Sequence, residues 1–140
     1  MYCLDASVIV NSIIENEGHH EHSKKLLLKI KNQNILVVLP EIAMPEIASA
    51  ISKGTGDAEL SIQFVKELRK IPNFVFVPVD ADISDFASRL AAEKWLRGAD
   101  AIYVAISSIF NVKLITLDEE QRRKSKDIVK ARTPMDELGK

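Results

Sequence analysis

The sequence predicts an α/β fold, a three-layer sandwich in which helices cover both faces of a central parallel sheet. Short, continuous apolar runs alternate along the chain with longer segments that carry apolar residues at helical spacing. Strands that are apolar along their whole length are typical of parallel sheets, because both faces of such sheets are buried. No linker, internal repeat or low-complexity segment interrupts this alternation, so residues 1–140 are expected to form a single domain.

The first half of the chain begins with an apolar run at residues 2–5, which is predicted to be a short buried strand ending at Asp5. A helix is predicted from Ser7 to about Ile14. The same patterns predict a helix at 20–31, a strand from Ile35 to Leu39, a helix from Pro40 or Pro45 to Ser52 closed by Gly54, and a helix capped by Asp57 that runs to about Lys70.

The second half of the chain continues the alternation of strands and helices. Small and apolar residues fill the segment after Asp100, which is therefore expected to be a helix packed against the sheet. The elements predicted here are a strand from Phe74 to Val77, an amphipathic helix from Asp82 to Leu96 ended by Gly98, the helix from Asp100 to Phe110, a strand from Lys113 to Leu117 and a short last strand from Ile128 to Ala131.

The composition is that of an ordinary globular domain and leaves a nucleic-acid partner open. The net charge is −1, from 19 basic and 20 acidic residues. If four of the acidic residues bind a metal ion, 16 remain against the 19 basic ones, and the bound cation adds further positive charge. Local fields rather than the total charge govern the encounter with a polyanion.

The single cysteine indicates a reducing compartment. Cys3 lies in an apolar stretch, so it is expected to be a small core residue, and no intramolecular disulfide or cysteine-based metal site is possible. The opening residues YCLDASVIV include Asp5 early in the apolar run, so no signal peptide is expected. No apolar stretch is as long as a membrane span. We therefore expect a cytoplasmic protein with no membrane partner.

Four acidic residues form the candidate site. Asp5 follows the first predicted strand and Asp118 follows the penultimate one, and in such folds ligands bind outside the carboxyl ends of the strands. Asp100 lies in the first turn of a packed helix, and Glu46 lies within an apolar helical segment. Each aspartate taken alone is as readily a cap or turn residue.

Together, the four carboxylates favour a divalent metal site. A glutamate on an apolar face is costly to bury unless it is paired or bound to a metal. Converging carboxylates without matching arginines repel one another, and a hard cation relieves that repulsion. Ligation by oxygen alone favours Mg²⁺ or Mn²⁺ over zinc. Such an ion serves phosphodiester cleavage by activating water and stabilising charge on phosphate.

Four motifs in order, LDAS, PEIASAI, GADAIYVA and LITLDEE, resemble those of PIN-domain nucleases, and in particular VapC-type toxins. The resemblance covers essentially the whole chain. It implies a Rossmann-like parallel sheet, a Mg²⁺ or Mn²⁺ site and endonucleolytic cleavage of RNA. It also implies self-association into a homodimer or higher homo-oligomer, and silencing by an antitoxin protein that inserts a segment near the active site.

The resemblance assigns a role to each motif residue. It implies that Asp5, Asp100 and Asp118 hold the metal directly or through water. Glu46 would help to hold the metal, or would orient and deprotonate the attacking water. The hydroxyl positions of the family fall on Ser7 and Thr116, which would orient the carboxylates or donate a hydrogen bond to the scissile phosphate.

Several basic and aromatic residues have two interpretations. Arg97, Arg122 and Arg123 lie close in sequence to the predicted metal ligands. They could contact phosphate groups of a substrate, or they could simply belong to a solvated surface. Trp95, near a predicted helix end, is expected to belong to the core or to an interface rather than to stack on a base.

The segment GHHEH at residues 18–22 has histidines at helical spacing. His19 and His22 are three residues apart, so a zinc site is conceivable. Two histidines are too few for a closed site, and a solvated helix start is the favoured interpretation.

Three other functions remain open. A phosphoacceptor signalling module would use Asp5, Asp80, Thr116 and Lys130, but would leave Glu46 and Asp100 unexplained. A related domain could bind RNA or a partner without cutting, although the acidic quartet is complete. A third possibility is a nuclease of RNA processing rather than a toxin. The sequence does not determine which RNA is cut, or whether one or two metal ions act.

Overall fold

The computed structural model describes residues 1–15 and 18–139. In these residues five strands form one sheet, and all neighbouring strands pair in parallel. The predicted α/β fold around a parallel sheet is therefore confirmed. In chain order, the strands are β1 (Tyr2–Leu4), β2 (Val37–Pro40), β3 (Phe74–Val77), β4 (Lys113–Ile115) and β5 (Ala131–Arg132).

Helices occupy most of the chain between the strands and flank the sheet. Helix α6 packs against β1, β2 and β4, and small residues such as Ala101 and Ala105 allow this approach because they are fully buried there. The helices of the described residues are α1 (Ala6–Ile13), α2 (His20–Asn32), α3 (Ala43–Thr55), α4 (Ala58–Arg69), α5 (Ala81–Lys94), α6 (Gly98–Ile109), α7 (Glu119–Ser125) and α8 (Pro134–Leu138).

The order of the strands in the sheet, β3-β2-β1-β4-β5, determines where a site can form. From β1 the chain adds β2 and β3 on one side, and then returns to add β4 and β5 on the other side. The carboxyl ends of β1 and β4 therefore flank the point at which the direction of winding reverses. In open α/β sheets, this is where a crevice forms and ligands bind.

The core is centred on the three middle strands. Leu4, Leu39, Leu114 and Ile115 are fully buried, as expected for a sheet that is covered on both faces. Cys3 is also fully buried, and burial raises the pKa of its thiol to about 12. The prediction that Cys3 is a core residue is confirmed.

Two helix ends differ from the sequence prediction. Helix α3 continues through Gly54 and ends at Gly56, which adopts a left-handed conformation with φ of 72°. Helix α5 ends at Trp95, which is itself left-handed, whereas Gly98 is the first residue of α6. Glycine is the usual residue at a left-handed helix end, so the nearest glycine in the sequence indicated the wrong position in both cases.

The C-terminal region contains two helices that were not predicted. The basic run after Asp118 belongs to α7, and α8 begins with a capping box formed by Thr133 and Asp136. Strand β4 is shorter than predicted because Thr116 and Leu117 lie outside it, and β5 lies later than the predicted segment from Ile128 to Ala131.

Within residues 1–15 and 18–139, none of the helices combines the length and the apolar character needed to cross a membrane.

Candidate active site

Asp5 and Asp118 lie at the carboxyl ends of the adjacent strands β1 and β4, and each caps the helix that follows. The Asp5 carboxylate accepts a hydrogen bond from the backbone N–H of Ser7 at 3.0 Å. The Asp118 carboxylate accepts one from the backbone N–H of Gln121, also at 3.0 Å. Because capping fixes the orientation of each side chain at a helix N-terminus, both carboxylates have defined positions at this edge of the sheet.

Glu46 reaches the site from α3 and is held there by a residue of α6. Its carboxylate accepts a hydrogen bond of 2.7 Å from the hydroxyl of Tyr103, whose side chain is almost completely buried. Nothing in the sequence identified Tyr103 as a site residue, although it lies three positions after Asp100 on the same helix and so shares its face.

Asp100 lies in the first turn of α6, where Arg97 joins it to Asp118. The Arg97 guanidinium donates from Nε to Asp100 at 3.0 Å and from Nη2 to Asp118 at 2.9 Å. The Arg97 side chain is 79% exposed, whereas the side chains of Asp100 and Asp118 are 16% and 25% exposed. Arg97 therefore covers the two carboxylates from the solvent side.

The carboxylates affect one another electrostatically. Burial is the largest cause that raises the pKa of Asp5, and the negative charges of Asp100 and Asp118 raise it further. The pKa of Glu46 is raised by burial and then by Asp5 and Asp100, against the hydrogen bond from Tyr103. The pKa of Asp100 is raised mainly by burial, although Arg97 opposes that shift. The site thus holds more negative charge than its single arginine balances.

This donor set has the chemistry of a divalent metal site, but the side chains do not form a coordination shell in this conformation. Among the described residues, no three histidine, cysteine, aspartate or glutamate side chains are placed so that they could hold a metal ion. Two of the four carboxylates are instead paired with Arg97. Carboxylate oxygens suit Mg²⁺ or Mn²⁺, and a cation would relieve the repulsion that adds to the effect of burial on the three pKa values.

The two predicted hydroxyl residues support the backbone that carries Asp118. Thr116 is fully buried, and its Oγ1 accepts a hydrogen bond from the backbone N–H of Asp118 at 3.1 Å. Ser7 Oγ accepts one from the backbone N–H of Leu117 at 3.3 Å. The Thr116 contact lies within the segment after β4, and the Ser7 contact links that segment to α1. Because Thr116 is fully buried, it does not reach the surface.

Glu46 lines two neighbouring grooves. A groove of about 590 Å³ has Ser7, His19 and Leu117 in its lining together with Glu46. A second groove, of about 660 Å³, lies beside Glu46 and is lined by residues that include Ala50 and Lys53. Glu46 is therefore accessible from grooves on the surface of the described chain.

The histidines of residues 18–22 form no zinc site with other described residues. His20 is buried rather than solvated, and its Nδ1 lies 2.8 Å from the carbonyl oxygen of Asn11. His19 precedes α2 in a left-handed conformation with φ of 68°. The prediction of a solvated helix start is therefore wrong for His20, which connects α2 to α1.

The basic residues near the site have different roles. Arg122 donates from Nη1 to the carbonyl oxygen of Thr116 at 3.1 Å, which is a structural contact. Arg123 is exposed and pairs with Glu120 at 3.3 Å. The third of them, Arg97, makes the direct contacts with Asp100 and Asp118 described above.

Gln121 is a further residue at the site that the sequence did not indicate. Its side chain is fully buried, and Nε2 donates a hydrogen bond to the carbonyl oxygen of Asp100 at 3.3 Å. This contact joins α7 to the first turn of α6, so it helps to set the relative positions of Asp100 and Asp118.

A family model for the PIN domain matches residues 2–127. No curated protein matches the chain by sequence.

Solved structures match over nearly the whole length. A toxin–antitoxin complex from Klebsiella pneumoniae is similar with a TM-score of 0.67 at 16% identity, over 96% of this chain and 98% of that chain. VapC20 of Mycobacterium tuberculosis, described as a sarcin–ricin loop cleaving toxin, has a TM-score of 0.75 at 14% identity, over 88% and 94%. PAE2754 from Pyrobaculum aerophilum has a TM-score of 0.70 at 20% identity, over 99% and 92%. At these identities, the likeness concerns the fold.

Proposed function

Because this chain belongs to the PIN domain family, we propose that it is a metal-dependent endoribonuclease and the toxin of a toxin–antitoxin pair. The observation that carries the proposal is the grouping of four acidic side chains beyond the carboxyl ends of β1 and β4, at the switch point of the sheet. These residues are Asp5, Glu46, Asp100 and Asp118.

The metal would be held by Asp5, Asp100 and Asp118, with Glu46 beside them. A bound Mg²⁺ or Mn²⁺ would supply an activated water and stabilise the charge that builds on the phosphate. Arg97 would have to release Asp100 and Asp118 before these carboxylates could bind the ion. Its guanidinium would then be free to contact a phosphate of the substrate.

Glu46 is the residue best suited to accept a proton from the attacking water. Burial and the neighbouring carboxylates raise its pKa, which makes it a stronger base than an ordinary glutamate. The hydrogen bond from Tyr103 fixes the orientation of its carboxylate. In the hydrolysis, the hydroxide part of the water bonds to phosphorus, and the leaving oxygen of the broken P–O bond takes up a proton.

The neighbouring structures support a proposal for the substrate and the partner. VapC20 is described as a sarcin–ricin loop cleaving toxin, and the similar structure from Klebsiella pneumoniae is a toxin–antitoxin complex. We therefore propose an RNA substrate and an antitoxin partner. We also propose self-association of the chain, which the resemblance of its motifs implies, and a cytoplasmic location, with which the single free and buried Cys3 agrees. Occupation of the acidic site by Arg97 supports an antitoxin that acts there, because it demonstrates that a guanidinium fits between Asp100 and Asp118.

The first experiment is cleavage of a pool of structured RNAs by the purified protein in Mg²⁺, in Mn²⁺ and in EDTA. Cleavage should require the metal and disappear in Asp100→Asn. Asp85→Asn, which makes the same chemical change at an exposed position on α5, should cleave at the wild-type rate. If Asp100→Asn cuts as fast as the wild type, the site assignment is wrong.

The toxin assignment needs a separate experiment. Induced expression of the wild-type chain in bacteria should arrest growth, and Asp100→Asn should not. A wild-type protein that cleaves RNA in vitro but leaves growth unchanged would instead belong to RNA processing.

A further inference from the structure

Trp95 is the only tryptophan of the chain, and it is 82% exposed. The sequence predicts it to belong to the core or to an interface, but within the described chain its side chain faces solvent. Tryptophan gains more than most residues from leaving water. An isolated, highly exposed tryptophan is therefore a candidate contact for a ligand.

The backbone presents Trp95 in a defined direction. Trp95 ends α5 in the left-handed conformation, with φ of 57° and ψ of 37°, a position at which glycine is the usual residue. Its carbonyl oxygen accepts a hydrogen bond of 2.9 Å from Nζ of Lys124 on α7. This contact ties the end of α5 to the helix that begins at Asp118.

Trp95 lies next to the acidic site. It precedes by two residues Arg97, whose guanidinium contacts Asp100 and Asp118, so the two Cα atoms are within about 8 Å of each other. Lys124, which holds the carbonyl of Trp95, is close enough to Asp100 to lower its pKa. The backbone at Trp95 therefore adjoins the residues that contact the carboxylates.

Two basic side chains adjoin Trp95. Arg97 follows it by two residues, and Nζ of Lys124 contacts its carbonyl oxygen. Arg97 itself is 79% exposed. This combination of an exposed aromatic ring with adjacent cations suits a single nucleic-acid strand, whose bases stack on aromatic rings while its phosphates contact arginine and lysine.

We propose that Trp95 is a stacking platform for an unpaired base of the RNA strand whose scissile phosphate lies at the carboxylates. The inference rests on the proposed nuclease function and adds a substrate contact to it. It also assigns the substrate a feature, because a base can stack on this ring only where it is unpaired, as in a loop or at a strand end.

The single tryptophan provides a direct test of stacking. Asp100→Asn, which should not cleave, is titrated with a short single-stranded RNA in Mg²⁺ while the emission of Trp95 is recorded. Saturable quenching is expected, because a stacked base alters the emission of the indole. A series of RNAs is then tested, each with an abasic site at a different position. One RNA of the series should no longer quench the emission, because it lacks the base that stacks on Trp95.

The affinity for labelled RNA tests whether the aromatic ring of Trp95 contributes to binding in addition to the nearby basic side chains. In the Asp100→Asn background, Trp95→Ala should bind roughly 5- to 150-fold more weakly, and Trp95→Phe should recover part of the loss. Phe110→Ala, which removes a partly exposed aromatic residue at the far end of α6, should bind like its parent. Circular dichroism of each variant checks that the fold is retained.

The results distinguish this proposal from the nuclease function. One outcome would overturn the proposal and leave the nuclease function intact. In it, the wild type cleaves RNA in a metal-dependent way, RNA does not quench the emission of Trp95 in Asp100→Asn, and Trp95→Ala does not weaken RNA binding. A Trp95→Ala variant that loses self-association but binds RNA normally would overturn it in favour of a protein interface. If the wild type neither binds nor cleaves RNA, both inferences fail.

Discussion

The hydroxyl of Tyr103 and the carboxylate of Glu46 are joined by a hydrogen bond of 2.7 Å that connects α6 to α3. This contact is the only hydrogen bond identified for the Glu46 carboxylate within the described residues, and it stabilises the charged form. Burial and the charges of Asp5 and Asp100 favour the neutral form of Glu46, whereas the positive charge of Arg97 also favours the charged form. Tyr103 therefore opposes the upward shift of the pKa of Glu46.

Replacing Tyr103 by phenylalanine should raise the pKa of Glu46 further, because the charged carboxylate loses a donor. The free energy of unfolding should fall by about 1 kcal/mol, the usual net contribution of one hydrogen bond. NMR titration of the metal-free protein with ¹³C-labelled glutamate measures the pKa. Tyr2→Phe, which removes the hydroxyl that donates to Glu137, is the control and should leave Glu46 unchanged.

Asp5→Asn should stabilise the metal-free protein at neutral pH. The pKa of Asp5 is higher in the folded protein than in the unfolded chain. At a pH between these two pKa values, the folded protein therefore binds more protons than the unfolded chain. The free energy of unfolding falls as the pH rises through this range. Asparagine removes the charge and remains a good N-cap. The gain should therefore shrink as the pH falls through the folded pKa and vanish below the unfolded one.

Chemical denaturation in EDTA across a series of pH values measures this effect. Asp136→Asn should behave in the opposite way, because hydrogen bonding to Thr133 lowers the pKa of Asp136. That variant should be less stable than the wild type at neutral pH, and the difference should disappear as the pH falls through the folded pKa of Asp136. A pH-independent difference for Asp5→Asn would contradict the assigned shift.

Arg97→Ala should increase the affinity for Mn²⁺, because Asp100 and Asp118 no longer have to be released from the guanidinium. Two exposed ion pairs of ordinary strength correspond to roughly 2- to 30-fold. Calorimetric titration of the metal-free protein measures the dissociation constant. Arg69→Ala, which breaks an exposed pair with Glu41, should leave it unchanged. Equal or weaker binding by Arg97→Ala would show that Arg97 does not compete with the ion.

Thr116→Val should impair cleavage by moving Asp118. The valine side chain cannot accept the backbone N–H of Asp118, so this group loses its partner and the unfolding free energy falls by about 1–3 kcal/mol. Thr116→Ser should restore both stability and activity. Thr133→Val, which removes the cap of α8, should also lower stability by about 1 kcal/mol, but should leave kcat and KM for RNA unchanged.

Local patterns in the sequence were sufficient for the fold class. Each central strand is a short apolar run because the sheet is covered on both faces, so the strands are visible without knowledge of their partners. The strand from Phe74 to Val77 and the cap at Asp57 are found where they were predicted. Local patterns were not sufficient for helix ends. The sequence indicated Gly54 as the end of α3, whereas Gly56 adopts the positive φ.

The sequence by itself determined the fold class and indicated the candidate carboxylates, because carboxylates at strand ends and within apolar segments stand out from their covalent neighbours. Only the tertiary structure decided how these residues relate to one another. The strand order places β1 beside β4, and so brings Asp5 and Asp118 to one edge of the sheet. Glu46 contacts Tyr103 across two helices. Arg97 pairs with two carboxylates that come from different elements. Trp95, at the end of α5, is exposed rather than buried. Such relationships depend on packing between elements, which no local pattern specifies.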